Sequence, residues 1–215
     1  MIILITGGTK GIGKALANYF KNDEVVTVAR SGATENNDIS NIEFRNQLVE
    51  KYTPDIFINN AGIAQEPFEK VFEVNGTAAV DLLQKFYNKM EKGTIINIGS
   101  LATTQNGYQV KDMSSAAYIL AKKLLHNASY FLQEMHTKPI RVTSLEIGAV
   151  STSIKNRFYG KDIPEEEYNE QTLRTIPMKT ADVVNAIDWI LNQPKHLEVR
   201  SLQLTNFVKP EVKSK

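Results

Sequence analysis

A glycine-rich turn directly after the first apolar run constrains the fold of this chain more than any other sequence feature. Residues Ile2 to Ile5 are typical of a buried strand, and Gly13 to Phe20 repeat apolar side chains at helical spacing. Between them, Thr6 to Gly13 (Thr-Gly-Gly-Thr-Lys-Gly-Ile-Gly) leaves backbone N–H groups and a helix N-terminus open to an anion. A strand, a glycine turn and a helix in this order predict a phosphate-binding βα unit.

Apolar runs and helical stripes then alternate along the rest of the chain. Short buried strands interleaved with amphipathic helices require parallel strands joined by crossover helices. The prediction is therefore an α/β fold: one Rossmann-like, doubly wound parallel sheet in a single domain spanning residues 1–215. The further predicted strands are Val25 to Ala29, Asp55 to Ile58, Thr94 to Ile98, Ile140 to Leu145 and Leu197 to Leu204, and the helical stripes run from Val71 to Phe86, from Ala117 to Leu132 and from Val183 to Leu191.

Composition narrows the class of protein. A net charge of +1 gives no field that would attract nucleic acid or an anionic membrane, and no apolar run has the length of a membrane span. Cysteine is absent, so disulfides and thiolate chemistry are excluded. His126, His136 and His196 are scattered and predict no metal site. We expect a cytoplasmic protein with small-molecule partners.

The residues around the turn distinguish between nucleotides. Gly8, Gly13 and Lys14 have the spacing of a P-loop, but Ala15 stands where a magnesium-binding hydroxyl is required. The second strand ends in Arg30-Ser31 instead of the acid that would bind a ribose 2′-hydroxyl. Because a guanidinium can grip a 2′-phosphate, and Lys10 could supply a second cation, we predict NADP(H) as the cofactor.

Tyr118 and Lys122 lie four residues apart in a helical pattern and therefore share one helix face. A neighbouring ammonium favours phenolate and lowers the pKa of a tyrosine, so such a pair can exchange a proton with an alcohol or carbonyl oxygen. The pair alone is weak evidence, since eight tyrosines and many lysines are present. Its weight comes from the order of the motifs that surround it.

In that order the chain resembles the short-chain dehydrogenase/reductase family along nearly its whole length. Thr6 to Gly13 resembles the family's cofactor turn, and Tyr118 to Lys122 its YxxxK motif. The remaining matches are Asp38-Ile39 (adenine contact), Asn59-Asn60-Ala61-Gly62 (the NNAG motif), Val74-Asn75 (the helix asparagine) and Ile96-Asn97-Ile98-Gly99-Ser100 (the strand that ends in the catalytic serine).

The resemblance implies a role for each matched residue. Tyr118 would be the general acid/base, and Lys122 would bind the nicotinamide ribose and lower the Tyr118 pKa. Ser100 would orient the substrate oxygen, and Asn75 would anchor the proton relay. The implied cofactor-binding set is Gly7, Thr9, Lys10, Gly11, Ile12, Gly13, Arg30, Ser31, Asp38, Ile39, Asn60, Ala61, Gly62, Tyr118, Lys122, Gly148, Val150 and Thr152. The helices of Asn75 and Tyr118 resemble those that pair in family dimers, so a homodimer or homotetramer is expected.

Two regions depart from the family pattern. Ile147-Gly148 replaces the family's Pro-Gly, which should leave the loop up to Thr152 less rigid. The substrate pocket is expected from residues 101–115 and from a substrate loop at about residues 153–178, where the resemblance fails. Phe158 and Tyr159 hint at an apolar or aromatic substrate, and Tyr108 either reaches the pocket or caps a loop.

The leading hypothesis is reduction of a ketone or aldehyde by NADPH, with Tyr118 as the proton donor. A non-catalytic NADP(H)-binding regulatory module is the alternative, and it would keep the turn while losing the proton-transfer set. A nucleoside-triphosphate enzyme is a third possibility, which Ala15 disfavours.

Overall fold

The apolar runs of the chain lie side by side in one parallel sheet. The computed structural model describes residues 1–103, 110, 112–135, 137–152 and 177–206, and all structural statements below concern these residues. Their sheet has seven strands in the order β3-β2-β1-β4-β5-β6-β7, and each neighbouring pair is parallel. The strands are β1 (Ile2–Thr6), β2 (Glu24–Ala29), β3 (Glu35–Asn36), β4 (Ile56–Asn59), β5 (Gly93–Ile98), β6 (Ile140–Ile147) and β7 (Ser201–Leu204).

Helices cover both faces of this sheet. A π-helical segment, Glu73–Ala78, joins two α-helices into one continuous element, and Leu101–Thr103 forms a 3₁₀ turn after β5. The α-helices of the described residues are α1 (Gly11–Tyr19), α2 (Ile42–Lys51), α3 (Phe68–Phe72), α4 (Ala79–Lys89), α5 (Met113–Met135) and α6 (Thr180–Leu191).

Alternating side chains of the strands build two separate cores. In β1, Leu4 belongs to the core under α2, α4 and α5, whereas Ile3 and Ile5 pack on the opposite side with α1 and α6. Phe57 and Ile58 of β4 divide between the two cores in the same way. This alternation follows from the two-residue period of a strand, and it explains why central strands are apolar throughout.

The strand order reverses between β1 and β4, which lie next to each other although the chain continues from β1 to β2. In doubly wound sheets ligands bind at such a point, outside the carboxyl ends of the strands. The glycine turn follows β1 here, and Asn60 follows β4. The fold therefore brings two of the predicted motifs to one edge of the sheet.

The predicted fold class is confirmed, with three differences in detail. The hydrophobic pattern missed α2, because apolar side chains are few along it. Asn41 caps this helix by accepting a hydrogen bond from Phe44 N at 3.0 Å. The pattern also missed β3, a strand of two residues. The last strand begins only at Ser201, later than the predicted Leu197.

Several predictions fall on residues that lie outside the described part of the chain. They concern Tyr108, His136, Phe158, Tyr159 and nearly all of the substrate loop at residues 153–178. Within the described ranges, no helix combines the length and the apolar character needed to cross a lipid bilayer.

Candidate active site

The glycine turn folds against the segment after β4 so closely that side chains would not fit. Gly7 has a φ of +70°, and a Cβ there would lie 2.9 Å from Asn60 Nδ2. A Cβ on Gly13 would lie 2.1 Å from the Gly7 carbonyl oxygen. At Lys10, the N-cap of α1, no side chain caps the helix, so its first N–H groups have no side-chain acceptor. Such an end is suited to a pyrophosphate.

The NNAG segment holds the turn through reciprocal hydrogen bonds. Asn60 Nδ2 donates to the carbonyl oxygens of Thr6 at 2.8 Å and Gly7 at 3.3 Å. In return, Thr6 Oγ1 accepts from the backbone N–H groups of Asn60 at 2.9 Å and Ala61 at 3.0 Å. These bonds fasten β1 to β4 at the switch point.

Cationic side chains stand in the glycine turn and directly after β2. Lys10 and Arg30 are exposed, and within the described residues neither makes a salt bridge. Burial raises the pKa of Asp38, but hydrogen bonds from Ser40 and the charges of Lys70 and Arg30 outweigh that effect and lower it. Because Arg30 and Lys10 are exposed and make no salt bridge among the described residues, both are available for a phosphate at this end of the cleft.

These features line one cleft with a cavity volume of about 330 Å³. Most of the predicted cofactor residues are on its wall, namely Gly7, Thr9, Lys10, Gly11, Ile12, Arg30, Ser31, Asp38, Ile39, Asn60, Ala61, Gly62 and Thr152. The cleft does not include Gly13, Tyr118, Lys122, Gly148 or Val150. The sequence analysis missed the lining residues Val28, Ala29, Asn37, Ile63, Lys70 and Val74. Lys70 carries no local motif; only the fold brings it within 3.8 Å of Asp38.

Ser100, Tyr118 and Lys122 come together at the carboxyl end of β5. The Ser100 side chain hydrogen-bonds with Tyr118, and Lys122 Nζ donates to the Ile98 carbonyl oxygen at 2.7 Å. Lys122 Nζ lies 6.0 Å from the centre of the Tyr118 ring. The predicted proton-transfer set is therefore assembled on one side of the sheet.

The electrostatics differ from the expected pattern. Burial raises the pKa of Tyr118 above its usual value; the Ser100 hydrogen bond lowers it, and the charge of Glu146 raises it further. Burial also lowers the pKa of Lys122 to about 8, against the charge of Glu146, which raises it. The expected lowering of the Tyr118 pKa is thus wrong for this structure, because burial dominates and the ammonium points to a backbone carbonyl.

Asn75 lies fully buried in the π-helical segment. Its Oδ1 accepts from Ile63 N at 2.8 Å, and its Nδ2 donates to Ile63 O at 2.7 Å. Both ends of the amide therefore bind the loop after β4. π-Helical turns are frequent at functional sites because they redirect backbone groups.

The loop that lacks the family proline is tied down by other bonds. Gly148 N donates to Leu204 O at 2.9 Å, and the side chain of Asn206 bonds both N and O of Ala149, at 2.6 and 2.8 Å. A backbone bridge joins Val150 to Met178. The expectation of a less rigid loop neglected these contacts; Asn206 lies 57 residues from Ala149, so no local pattern revealed it.

The family model described as "short chain dehydrogenase" matches residues 37–162, more than half of the chain. The chain belongs to the short-chain dehydrogenase family. The predicted family is thereby confirmed, and with it the enzyme class, an oxidoreductase acting on CH–OH and C=O groups.

Among curated short-chain dehydrogenase relatives, serine 3-dehydrogenase of Rhizobium radiobacter is 25% identical, covering 94% of this chain and 92% of the relative. The NADP-dependent 3-hydroxy acid dehydrogenase YdfG of Escherichia coli K12 is 26% identical, covering 95% and 94%. A solved closed form of serine dehydrogenase complexed with NADP⁺ superposes with a TM-score of 0.77 at 25% identity, over 95% of this chain and 94% of that one.

Proposed function

We propose that this short-chain dehydrogenase reduces the carbonyl group of a small oxo acid to a hydroxy acid, with NADPH as the reductant. The assembly of Ser100, Tyr118 and Lys122 at the end of β5 is the observation that carries the proposal. A non-catalytic binding module would have no need of a buried lysine beside a tyrosine. The names of the relatives, which refer to serine and to 3-hydroxy acids, support the choice of a small 3-oxo acid.

NADP(H) is the cofactor of this chain. The tightly packed turn from Gly7 to Gly13 places the N-terminus of α1 at the cleft, where it suits a pyrophosphate, and Lys10 and Arg30 supply positive charge for a 2′-phosphate. Thr152, which lines the same cleft, would hold the nicotinamide carboxamide. The relative named as NADP-dependent and the solved structure with NADP⁺ support the same assignment.

The chain's own residues handle the substrate oxygen and its proton. When bound, NADPH supplies the hydride for the carbonyl carbon. Tyr118 is protonated at neutral pH because burial and Glu146 both raise its pKa, so it acts as the proton donor to the oxygen. Ser100 orients that oxygen through a hydrogen bond. Lys122 binds the ribose hydroxyls of the bound cofactor through its ammonium group.

Replacing Tyr118 by phenylalanine tests the proton donor. The Tyr118→Phe variant should lose activity by a factor of at least about 10², the lower range for general acid catalysis, while it binds NADPH with parental affinity. Tyr130→Phe is the matched control, because Tyr130 is exposed on the same helix, about 18 Å further along its axis. NADPH oxidation is followed with 3-oxo acids, ketones and aldehydes. Parental activity in Tyr118→Phe would remove this residue from its role, and inactivity of the parent with every carbonyl would favour a binding module.

Charge reversal at the end of β2 tests the cofactor preference. Arg30→Glu should weaken NADPH binding by at least about tenfold, since a charge-assisted hydrogen bond is worth about 1.5–3 kcal/mol. It should leave NADH binding unchanged. Lys21→Glu reverses an equally exposed charge outside the cleft and should change neither affinity. Equal loss of NADPH and NADH affinity in Arg30→Glu would contradict recognition of a 2′-phosphate.

Self-association is part of the proposal. Several large apolar side chains of α5 are exposed, among them Leu120 at 50% and Phe131 at 66%. An exposed apolar helix face on a folded domain is typical of an association surface. We expect a homodimer or homotetramer by sedimentation, and a monomer at assay concentration would refute this part.

A further inference from the structure

A fully buried carboxylate lies directly behind Ser100, on a strand whose other side chains are mostly apolar. Glu146, at the end of β6, has no exposed surface. Its Oε2 accepts from the backbone N–H of Ser100 at 2.7 Å, and its Oε1 accepts from the Ser144 hydroxyl at 2.6 Å. The Nδ1 atom of His126, a residue of α5, lies 2.9 Å from Oε1. The Thr103 hydroxyl is shared between Oε2, at 3.2 Å, and the Ser100 carbonyl oxygen, at 2.8 Å.

The donors around Glu146 satisfy both oxygens of its buried carboxyl group. Hydrogen bonds from a backbone N–H and a hydroxyl stabilise a carboxylate, and a buried charge persists only where such partners exist. In the tautomer that carries the proton on Nδ1, His126 is a further donor to Oε1. The His126 side chain is one-third exposed, so it connects this buried carboxylate to solvent.

Gly99 shows that the carboxylate and the segment after β5 are fitted to each other. A Cβ at Gly99 would lie 2.4 Å from Oε1 and 2.5 Å from Oε2 of Glu146. The carboxylate therefore packs on the Gly99 backbone while it holds the next N–H group, that of Ser100. The position of the Ser100 hydroxyl depends on this contact because the side chain follows its own backbone.

The charge of Glu146 also acts on the other two members of the set. It raises the pKa of Lys122, which burial lowers to about 8, and it adds to the effect of burial in raising the pKa of Tyr118. The titratable groups that face it from α5 are Tyr118, Lys122 and His126. Its neighbour in β7, Gln203, and the hydroxyls of Ser144 and Thr103 carry no charge.

We propose that Glu146 is a positioning residue of the active site: its carboxylate fixes the backbone of Ser100 and places a buried negative charge behind the set formed by Ser100, Tyr118 and Lys122. This inference rests on the proposed reductase function, since it concerns the same three residues. Its two parts can be separated experimentally. Glu146→Gln removes the charge and keeps the side-chain length, whereas Glu146→Asp keeps the charge and shortens the side chain by one methylene.

The charge is tested by pH profiles of kcat/KM for carbonyl reduction. In Glu146→Gln, the amide oxygen can still accept from Ser100 N, so we expect a folded enzyme with parental NADPH affinity. The alkaline limb of its kcat/KM profile, where Tyr118 loses its proton, should move to lower pH by about one unit. At a pH above both limbs, kcat/KM should then be about tenfold lower than in the parent. Glu134→Gln is the matched control, because Glu134 is an exposed acid of α5 paired with Arg200. The control should keep the parental profile.

The contact between the Glu146 carboxylate and Ser100 N is tested by Glu146→Asp. This variant should keep the parental alkaline limb and lose kcat by at least about tenfold, with KM for NADPH unchanged, because Ser100 N loses its acceptor. It also keeps the proposal testable if Glu146→Gln does not fold. A parental kcat in Glu146→Asp would overturn the positioning role, and a parental limb in Glu146→Gln would overturn the charge role.

A measurement without substrate distinguishes this inference from the proposed function. The ultraviolet absorbance of phenolate is titrated in the parent and in Tyr118→Phe, and the difference reports Tyr118 alone. The same difference is measured in the Glu146→Gln background, where Tyr118 should ionise at lower pH by about one unit. This shift would support the inference even if no carbonyl were reduced. Identical titrations in the two backgrounds would refute it even in an active enzyme.

Discussion

Thr6 allows a quantitative test of how the cofactor turn is held. The residue is fully buried at the end of β1, and its Oγ1 receives the N–H groups of both Asn60 and Ala61. Valine has nearly the same shape but no acceptor. Thr6→Val therefore removes two hydrogen bonds without creating a cavity, and it leaves two backbone donors without their partner.

The expected loss of stability follows from these two donors. An unsatisfied buried donor costs about 1–3 kcal/mol, and both hydrogen bonds are only partly buried, so we take about 1 kcal/mol for each. The methyl group that replaces the hydroxyl regains less than about 1 kcal/mol by apolar burial. The net loss should be about 1–2 kcal/mol, a large share of the usual 5–15 kcal/mol of a domain.

Urea unfolding at pH 7 and NADPH titration measure the effect together. Thr94→Val is the matched control, because Thr94 is also buried, at 3% exposure, and its Oγ1 accepts one bond, from Arg141 at 3.1 Å. Arg141 is not fully buried and can turn to water, so the control should lose less than about 0.5 kcal/mol. Only Thr6→Val should weaken NADPH binding. Equal stabilities and equal affinities in the two variants would refute the reasoning.

Two further predictions follow from buried charges. The pKa of Lys122 falls from 10.5 to about 8 on folding, so the unfolded chain holds more protons between those values and stability rises with pH there. Below about pH 8 the folded state carries the full cost of a charged, buried Lys122. Lys122→Met should therefore raise the free energy of unfolding at pH 7 by about 2 kcal/mol, and it should abolish activity. A variant less stable than the parent at pH 7 would contradict this. Arg45, 5% exposed, donates to Ile39 O at 2.6 Å and to Asp81 at 2.6 Å, so it ties the wall of the cofactor cleft to α4. Arg45→Met should lower stability by about 2 kcal/mol and weaken NADPH binding, which melting and titration measure; parental affinity would show that the wall does not need this tie.

Local patterns predicted most of the fold because central parallel strands and their covering helices bury apolar side chains at regular intervals. The alternation in β1, with Leu4 on one side and Ile3 on the other, is visible in the sequence as a continuous apolar run. Helix α2 escaped prediction because it buries a charged residue, Arg45, alongside Phe44 and Leu48. An apolar period cannot reveal a helix whose buried face includes a guanidinium.

Motifs of the site that are contiguous in sequence were also accessible. The glycine turn, the NNAG segment and the Tyr118–Lys122 pair lie within single elements, so spacing alone places their side chains together. Lys70 and Asn206 were missed because their partners are distant along the chain. Asn206 replaces, through two hydrogen bonds to Ala149, part of the rigidity that the missing proline would have supplied.

Glu146 shows what kind of sequence signal was overlooked. The predicted strand ended at Leu145, directly before an acid, yet β6 continues to Ile147 and buries the carboxylate completely. A carboxylate inside a central strand is unfavourable by several kcal/mol unless donors surround it, and evolution tolerates such conflicts mainly at functional sites. An acid directly after a predicted parallel strand, at the edge of the sheet where the site lies, therefore indicates that the strand continues and that its carboxylate belongs to the site.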